Sequence, residues 1–209
     1  MGKGMVIAGL TLWAGASAAG STQANYFELH VVQTEFGGPG DGRTSNGGLG
    51  FSFAKSFWEH AAWYGEIDWR HDDDAPELDL ITGSLGAGPR YVVDALAGLS
   101  LQLAVSFEHM RVRLQDDDPT TAMTEVTTIR RNGVGGSLGM SLPVGERSEL
   151  FGRYSFVDLT DSETDDEDES ILLAGFRLGL SDEFSLVASV RDYDTLDTTD
   201  YRLGLAVDF

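Results

Sequence analysis

Alternation at period two is the feature that most narrows what this chain can become. The last nine residues show it: Tyr201, Leu203, Leu205, Val207 and Phe209 fall on one face of an extended chain. Arg202, Gly204, Ala206 and Asp208 fall on the other. Residues 99–108 repeat the pattern, with Leu99, Leu101, Leu103, Val105 and Phe107 against Ser100, Gln102, Ala104, Ser106 and Glu108. Residues 61–70 set Ala61, Trp63, Gly65, Ile67 and Trp69 against Ala62, Tyr64, Glu66, Asp68 and Arg70. Similar segments lie near 25–36, 47–57, 80–93, 125–142, 149–158, 170–180 and 184–193. Successive side chains on a strand point to opposite faces, so each segment predicts a strand with one apolar face. The chain is all-β, with about ten strands.

A soluble sandwich also alternates, and three further features favour a closed barrel in a membrane. The polar faces carry charges, as a barrel lumen does. Aromatic residues sit towards segment ends: Trp63 and Trp69 lie about 20 Å apart along a strand at ~3.3 Å per residue, as two interfacial girdles require. The connections alternate in length, short near 58–61, 94–97, 144–148 and 181–183, longer and polar near 37–47, 71–79, 115–124, 159–169 and 194–199. Short inner turns and long outer loops mark outer-membrane barrels, and an even strand number puts both termini on the inner side. Composition agrees: Gly is the commonest residue at 26, Pro is only 5, and there is no cysteine. No segment reaches the roughly 18 consecutive apolar residues of a membrane helix.

Residues 1–24 read as an export signal. Lys3 supplies the positive end, Met5 to Ala14 the apolar run, and Ala16-Ser17-Ala18 or Thr22-Gln23-Ala24 the cleavage site. Residues 25–209 then form a single barrel domain. The net charge of −20 argues against nucleic acid, because no Lys or Arg stripe is available to displace phosphate counterions.

The terminal Tyr201-Arg-Leu-Gly-Leu-Ala-Val-Asp-Phe209 resembles the strand by which the barrel-assembly machinery recognises its clients. Residues 25–209 as a pattern resemble the small outer-membrane β-barrel family typified by OmpX and the OmpA barrel. The resemblance implies a transmembrane antiparallel up-and-down barrel in the outer membrane of a Gram-negative bacterium, with outer-membrane lipid and lipopolysaccharide as its surroundings. It departs in strand number: that family has eight strands, so eight is the alternative to the ten read here.

Three groups of charges are candidates for a role. On the polar faces, Glu28, Glu66, Asp68 and Glu108 point inwards from the first, third and fifth segments, and Arg153, Arg177, Arg191 and Arg202 from the seventh to the tenth. One wall would be acidic and the other basic. That arrangement fits either an ionic plug, since unpaired charge in a narrow lumen is costly, or a transverse field across a narrow pore for small solutes. Eight strands make a filled barrel and about sixteen an open channel, which puts ten near the filled end.

The second group is acidic. The long connections hold just over half of the 34 carboxylates, in the runs Asp72 to Asp74, Asp116 to Asp118 and Asp161 to Glu169, opposed there only by Arg43. No Asp-x-Asp-x-Asp-Gly loop is present, so loose screening by divalent cations is expected rather than a dedicated metal site, and no cofactor is implied.

The third group faces outwards at the outer rim: His109, Arg111, Arg113 and Arg130. A turn near residue 119 would set Arg130 opposite His109, beside Arg111. These residues are candidates for contact with lipopolysaccharide phosphates, the alternative being pairing with Asp116 to Asp118.

Nothing assembles a catalytic group, and no enzyme is expected. Ser106 and His109 are three apart and fall on opposite faces. Glu28 and His30 share a face, but Tyr26 and Thr34 beside them supply no nucleophile at suitable reach. His71 beside Asp72 to Asp74 resembles the rim site of omptin proteases only faintly, in a chain far shorter than theirs.

Overall fold

Each strand pairs with its sequence neighbours, and the first also pairs with the last. The order β1-β10-β9-β8-β7-β6-β5-β4-β3-β2 closes a ten-stranded antiparallel barrel. In the computed structural model, residues 25–36, 46–58, 60–72, 77–96, 98–118, 123–161, 167–195 and 197–209 are described. The strands are β1 Tyr26–Phe36, β2 Asn46–Trp58, β3 Ala61–Asp72, β4 Glu77–Val93 and β5 Leu99–Asp118. They continue as β6 Met123–Pro143, β7 Ser148–Asp161, β8 Glu167–Gly179, β9 Phe184–Tyr193 and β10 Thr198–Asp208. A 3-10 turn at Asp94–Leu96 lies between β4 and β5. The closed ladder selects ten strands over eight. The export signal with its two candidate cleavage sites, together with Arg43, Asp73, Asp74 and 162–166 of the third acidic run, lies outside the described residues.

The strand pattern differs from the expectation mainly at the outer ends. Residues 115–124, expected as a loop, are mostly ladder: Asp118 pairs with Met123 at the tip of the β5–β6 hairpin. The first and third acidic runs likewise begin or end on strands, with Asp72 closing β3 and Asp161 closing β7. The apolar pattern stops near Phe107, but main-chain hydrogen bonding does not need apolar side chains. Thr124, Val126, Thr127, Thr128 and Ile129 favour extended backbone and carry the ladder on.

The two faces are inverted relative to a protein that keeps water outside. Outward positions are apolar and exposed, as with Leu29, Leu103, Val105, Leu172 and Leu205. Inward positions carry the buried charge, with Asp68, Arg70 and Asp200 all at 0 % exposure. A belt of Leu, Val and Phe around a polar interior is what hydrocarbon surroundings select, because every strand hydrogen bond is made internally and no edge remains.

The closing seam is β1 on β10, in register from Tyr26 opposite Asp208 to Phe36 opposite Thr198. On its outer face Phe209 stacks on Phe27, with ring centroids 5.0 Å apart. Phe27 also meets Phe51 at 5.8 Å, and Phe53 meets Trp63 edge-on at 5.2 Å. The last residue therefore belongs to an aromatic patch spanning the seam and two further strands.

Candidate functional site: the luminal charge network

The site begins with a glycine. His30 on β1, Gly50 on β2 and Asp68 on β3 lie in one cross-strand row. Because Gly50 has no side chain, His30 Nε2 and Asp68 Oδ1 meet above it at 2.7 Å. A Cβ at position 50 would overlap both atoms. The other ring nitrogen, Nδ1, lies 3.3 Å from Glu28 Oε1, so the imidazole bridges two carboxylates. Glu28 in turn accepts from Ser52 Oγ at 3.1 Å.

From Asp68 the network spreads across the lumen. Its carboxylate meets Arg202, has Arg70 at 3.5 Å and Arg191 at 3.7 Å. Glu66, one inward position lower on β3, meets Arg191 and takes Arg153 at 3.0 Å and Arg202 at 3.2 Å. Asp200 meets Arg70, has Arg202 at 3.6 Å and accepts from Thr34 Oγ1 at 2.6 Å. Four guanidiniums thus interleave with three carboxylates. Glu108 lies on the wall of the same space as Arg153 and Arg191 but joins none of these ion pairs.

A second cross-strand device spans the middle. Tyr64 on β3 lies over Gly86 on β4, where a Cβ would run into its ring, and its hydroxyl reaches Ser137 on β6 at 3.1 Å. Arg153 of β7 stacks on that ring at 4.4 Å while bonding Glu66. Together these residues tie β3 to β6, β7, β9 and β10 across the lumen. Two of the spaces beside them are small, about 50 Å³ between Glu28, Glu66, Arg153 and Arg202 and about 40 Å³ beside Glu108 and Tyr193. Voids of that size hold a few waters.

Arg177 stands apart near the short-turn end. It stacks on Tyr26 at 3.9 Å and lies 3.5 Å from Asp208, which also accepts from Ser185 Oγ. Of the residues singled out from sequence, Glu66, Asp68, Arg153, Arg191 and Arg202 are in direct contact within the network. Glu28 joins through His30, while Glu108 and Arg177 sit beside it.

Two walls of opposite sign were expected, and the structure corrects this. Arg70 sits on the acidic side, on β3, and Asp200 and Asp208 sit on the basic side, on β10. The charges interleave because β3 and β10 each carry both signs on their inward face, Arg70 after Glu66 and Asp68 on β3 and Arg202 after Asp200 on β10. Arg70 shares the parity of Glu66 and Asp68, and Asp200 that of Arg202, which is the signal that would have placed both.

The outward cluster is also rearranged. The β5–β6 register puts Arg111 directly opposite Arg130, and His109 opposite Asn132. The hairpin turns near 120 rather than 119, which shifts every partner by two residues. His109 Nδ1 lies 2.8 Å from Asn132 Oδ1, and Arg113 Nη2 lies 3.5 Å from Gln115 Oε1. His71 Nδ1 lies 2.7 Å from Asp79 Oδ1, an exposed pair on adjacent strands.

No family model matches the chain, and neither does any curated protein. Among solved structures it is similar to the translocator domain of the autotransporter NalP from Neisseria meningitidis. That match has 11% identity and a TM-score of 0.47, over 95% of this chain and 91% of that one. It is similar also to the β domain of the Bordetella autotransporter Brka, at 10% identity and a TM-score of 0.48, over 90% of this chain and 100% of that one. A third is Ail of Yersinia pestis in complex with the heparin analogue sucrose octasulfate. Here identity is 15% and the TM-score 0.45, over 88% of this chain and 97% of that one. At these identities and TM-scores, function has to be argued from this chain's own residues.

Proposed function

We propose that the chain is an outer-membrane β-barrel of a Gram-negative bacterium with a structural or surface-interaction role, its lumen closed by its own ion pairs. The observation that carries this reading is the network at Glu66, Asp68 and Asp200, joined by Tyr64, which crosses the lumen and has spaces of about 40 and 50 Å³ set among its members. An interior that is charged, buried and mutually paired serves closure; a conducting lumen needs a continuous wet path. The outward apolar belt and the leader-like residues 1–24 support the location. The reading includes no catalytic role: His30 is held between two carboxylates, and Ser106 and His109 face opposite ways. Purified protein should be inert in lipid A deacylation and peptide cleavage assays.

Liposome swelling tests closure. Vesicles carrying the barrel should swell in small sugars no faster than empty ones. Swelling that depends on Arg191 or Arg202 would favour a narrow solute channel instead.

Within this reading the outer rim contacts lipopolysaccharide. Arg111 and Arg130, set face to face just above the apolar belt, are like charges that destabilise each other across strands unless an anion lies between them. Phosphate is the matching ligand at that depth. Retention of lipid A should fall when Arg111→Ala and Arg130→Ala are combined, and should fall equally when the phosphates are removed from the lipid. Unchanged retention would overturn the contact.

A further inference from the structure

Between the ion pairs and the short-turn end, the lumen widens into a cavity of about 160 Å³. Its wall includes Arg90, Arg153, Arg177, Gln102, Tyr26 and Glu149. Three guanidiniums face one carboxylate there, in a chain whose net charge is −20. Arg153 also pairs with Glu66 and Arg177 lies near Asp208, so the positive surplus belongs to the groups lining the wall and not to the composition. Tyr26, Arg90 and Glu149 are only half-buried, so solvent reaches this end of the lumen.

Two donors in the wall have no acceptor. Gln102 Nε2 and Arg177 Nε are buried and meet none among the described residues. The nearest carboxylate to Arg177 is Asp208 at 3.5 Å, a long contact that leaves much of the guanidinium uncommitted. Tyr26 and Tyr64 hold Arg177 and Arg153 over their rings, at 3.9 Å and 4.4 Å, so both are placed before any ligand arrives. A cavity of roughly 150 Å³ accommodates a benzene ring. Planar guanidiniums match a carboxylate, and buried unpaired donors favour an acceptor that supplies several lone pairs.

We propose that this cavity binds a small organic anion, a carboxylate about the size of a six-membered ring, entering from the short-turn side. The cup is closed at its far end by Tyr64 and Arg153, so binding needs no open lumen. It does not depend on the surface role proposed above.

The test is calorimetric titration of the whole barrel, folded in detergent micelles, with benzoate, its neutral isostere benzamide and inorganic phosphate. Benzoate should saturate a single site, with benzamide about tenfold weaker or more, since a hydrogen bond to a charged group is lost. Phosphate binding tighter than benzoate would overturn the choice of a carboxylate. Arg177→Gln should weaken benzoate about tenfold, while Arg147→Gln, on the exposed surface of the same end, should leave it unchanged. If Arg177→Gln does not fold, Gln102→Leu removes an uncharged donor and should weaken benzoate several-fold. Unsaturable uptake, equal uptake of benzamide, or indifference to the cavity variants would mean that the cavity holds water only.

Discussion

Gly50 shows how much a single missing side chain decides. Two strands away from each other, His30 and Asp68 meet only because the strand between them offers no Cβ. Gly50→Ala should therefore destabilise the barrel, by about 1–3 kcal/mol from overpacking, although Ala is ordinarily the better strand residue. Asp68→Asn should cost more. It leaves Arg202, Arg70 and Arg191 buried around a neutral amide, and breaking a buried ion pair from one side typically costs about 3–5 kcal/mol. Urea unfolding of the two variants in lipid vesicles checks both values. Alternation in the sequence says which face a charge occupies, because that follows from local geometry alone. It does not say which charges touch, because partners lie on strands up to 136 residues away and depend on the whole register. Tyr64 illustrates the gap: its reach to Ser137 needs the small residue at Gly86, which nothing near Tyr64 in sequence announces.

At the level of elements, ten strands and their order of faces were legible, since every hydrophobic segment had to alternate and every polar break had to turn. The ends were less so. Polar and acidic residues look like loop in a sequence, yet β5 and β6 remain paired out to Asp118 and Met123. The register of that hairpin has a direct check, helped by the absence of native cysteine. Arg111→Cys with Arg130→Cys should form a disulfide readily, because directly opposed residues bring their Cα atoms within about 4.5–5.5 Å. His109→Cys with Arg130→Cys, two residues out of register, should stay largely reduced under the same oxidation. The reverse result would move the outer rim and separate the two arginines proposed to share a phosphate.

For the molecule as a whole, closure and inversion go together. A barrel with no edge can place its apolar residues outside, and it must then satisfy whatever charge it places inside. The interleaved network meets that demand by pairing residues from β1, β3, β7, β9 and β10, so the contacts proposed to close the lumen also hold opposite walls together. Phe209 belongs to the outer half of this logic, covering the β1–β10 seam through Phe27. A plugged lumen is the central claim, and single-channel recording in planar bilayers tests it most directly. The intact protein should give no stepwise openings, whereas Glu66→Ala combined with Arg202→Ala should admit transient ones. Discrete, cation- or anion-selective openings from the intact protein would contradict the account.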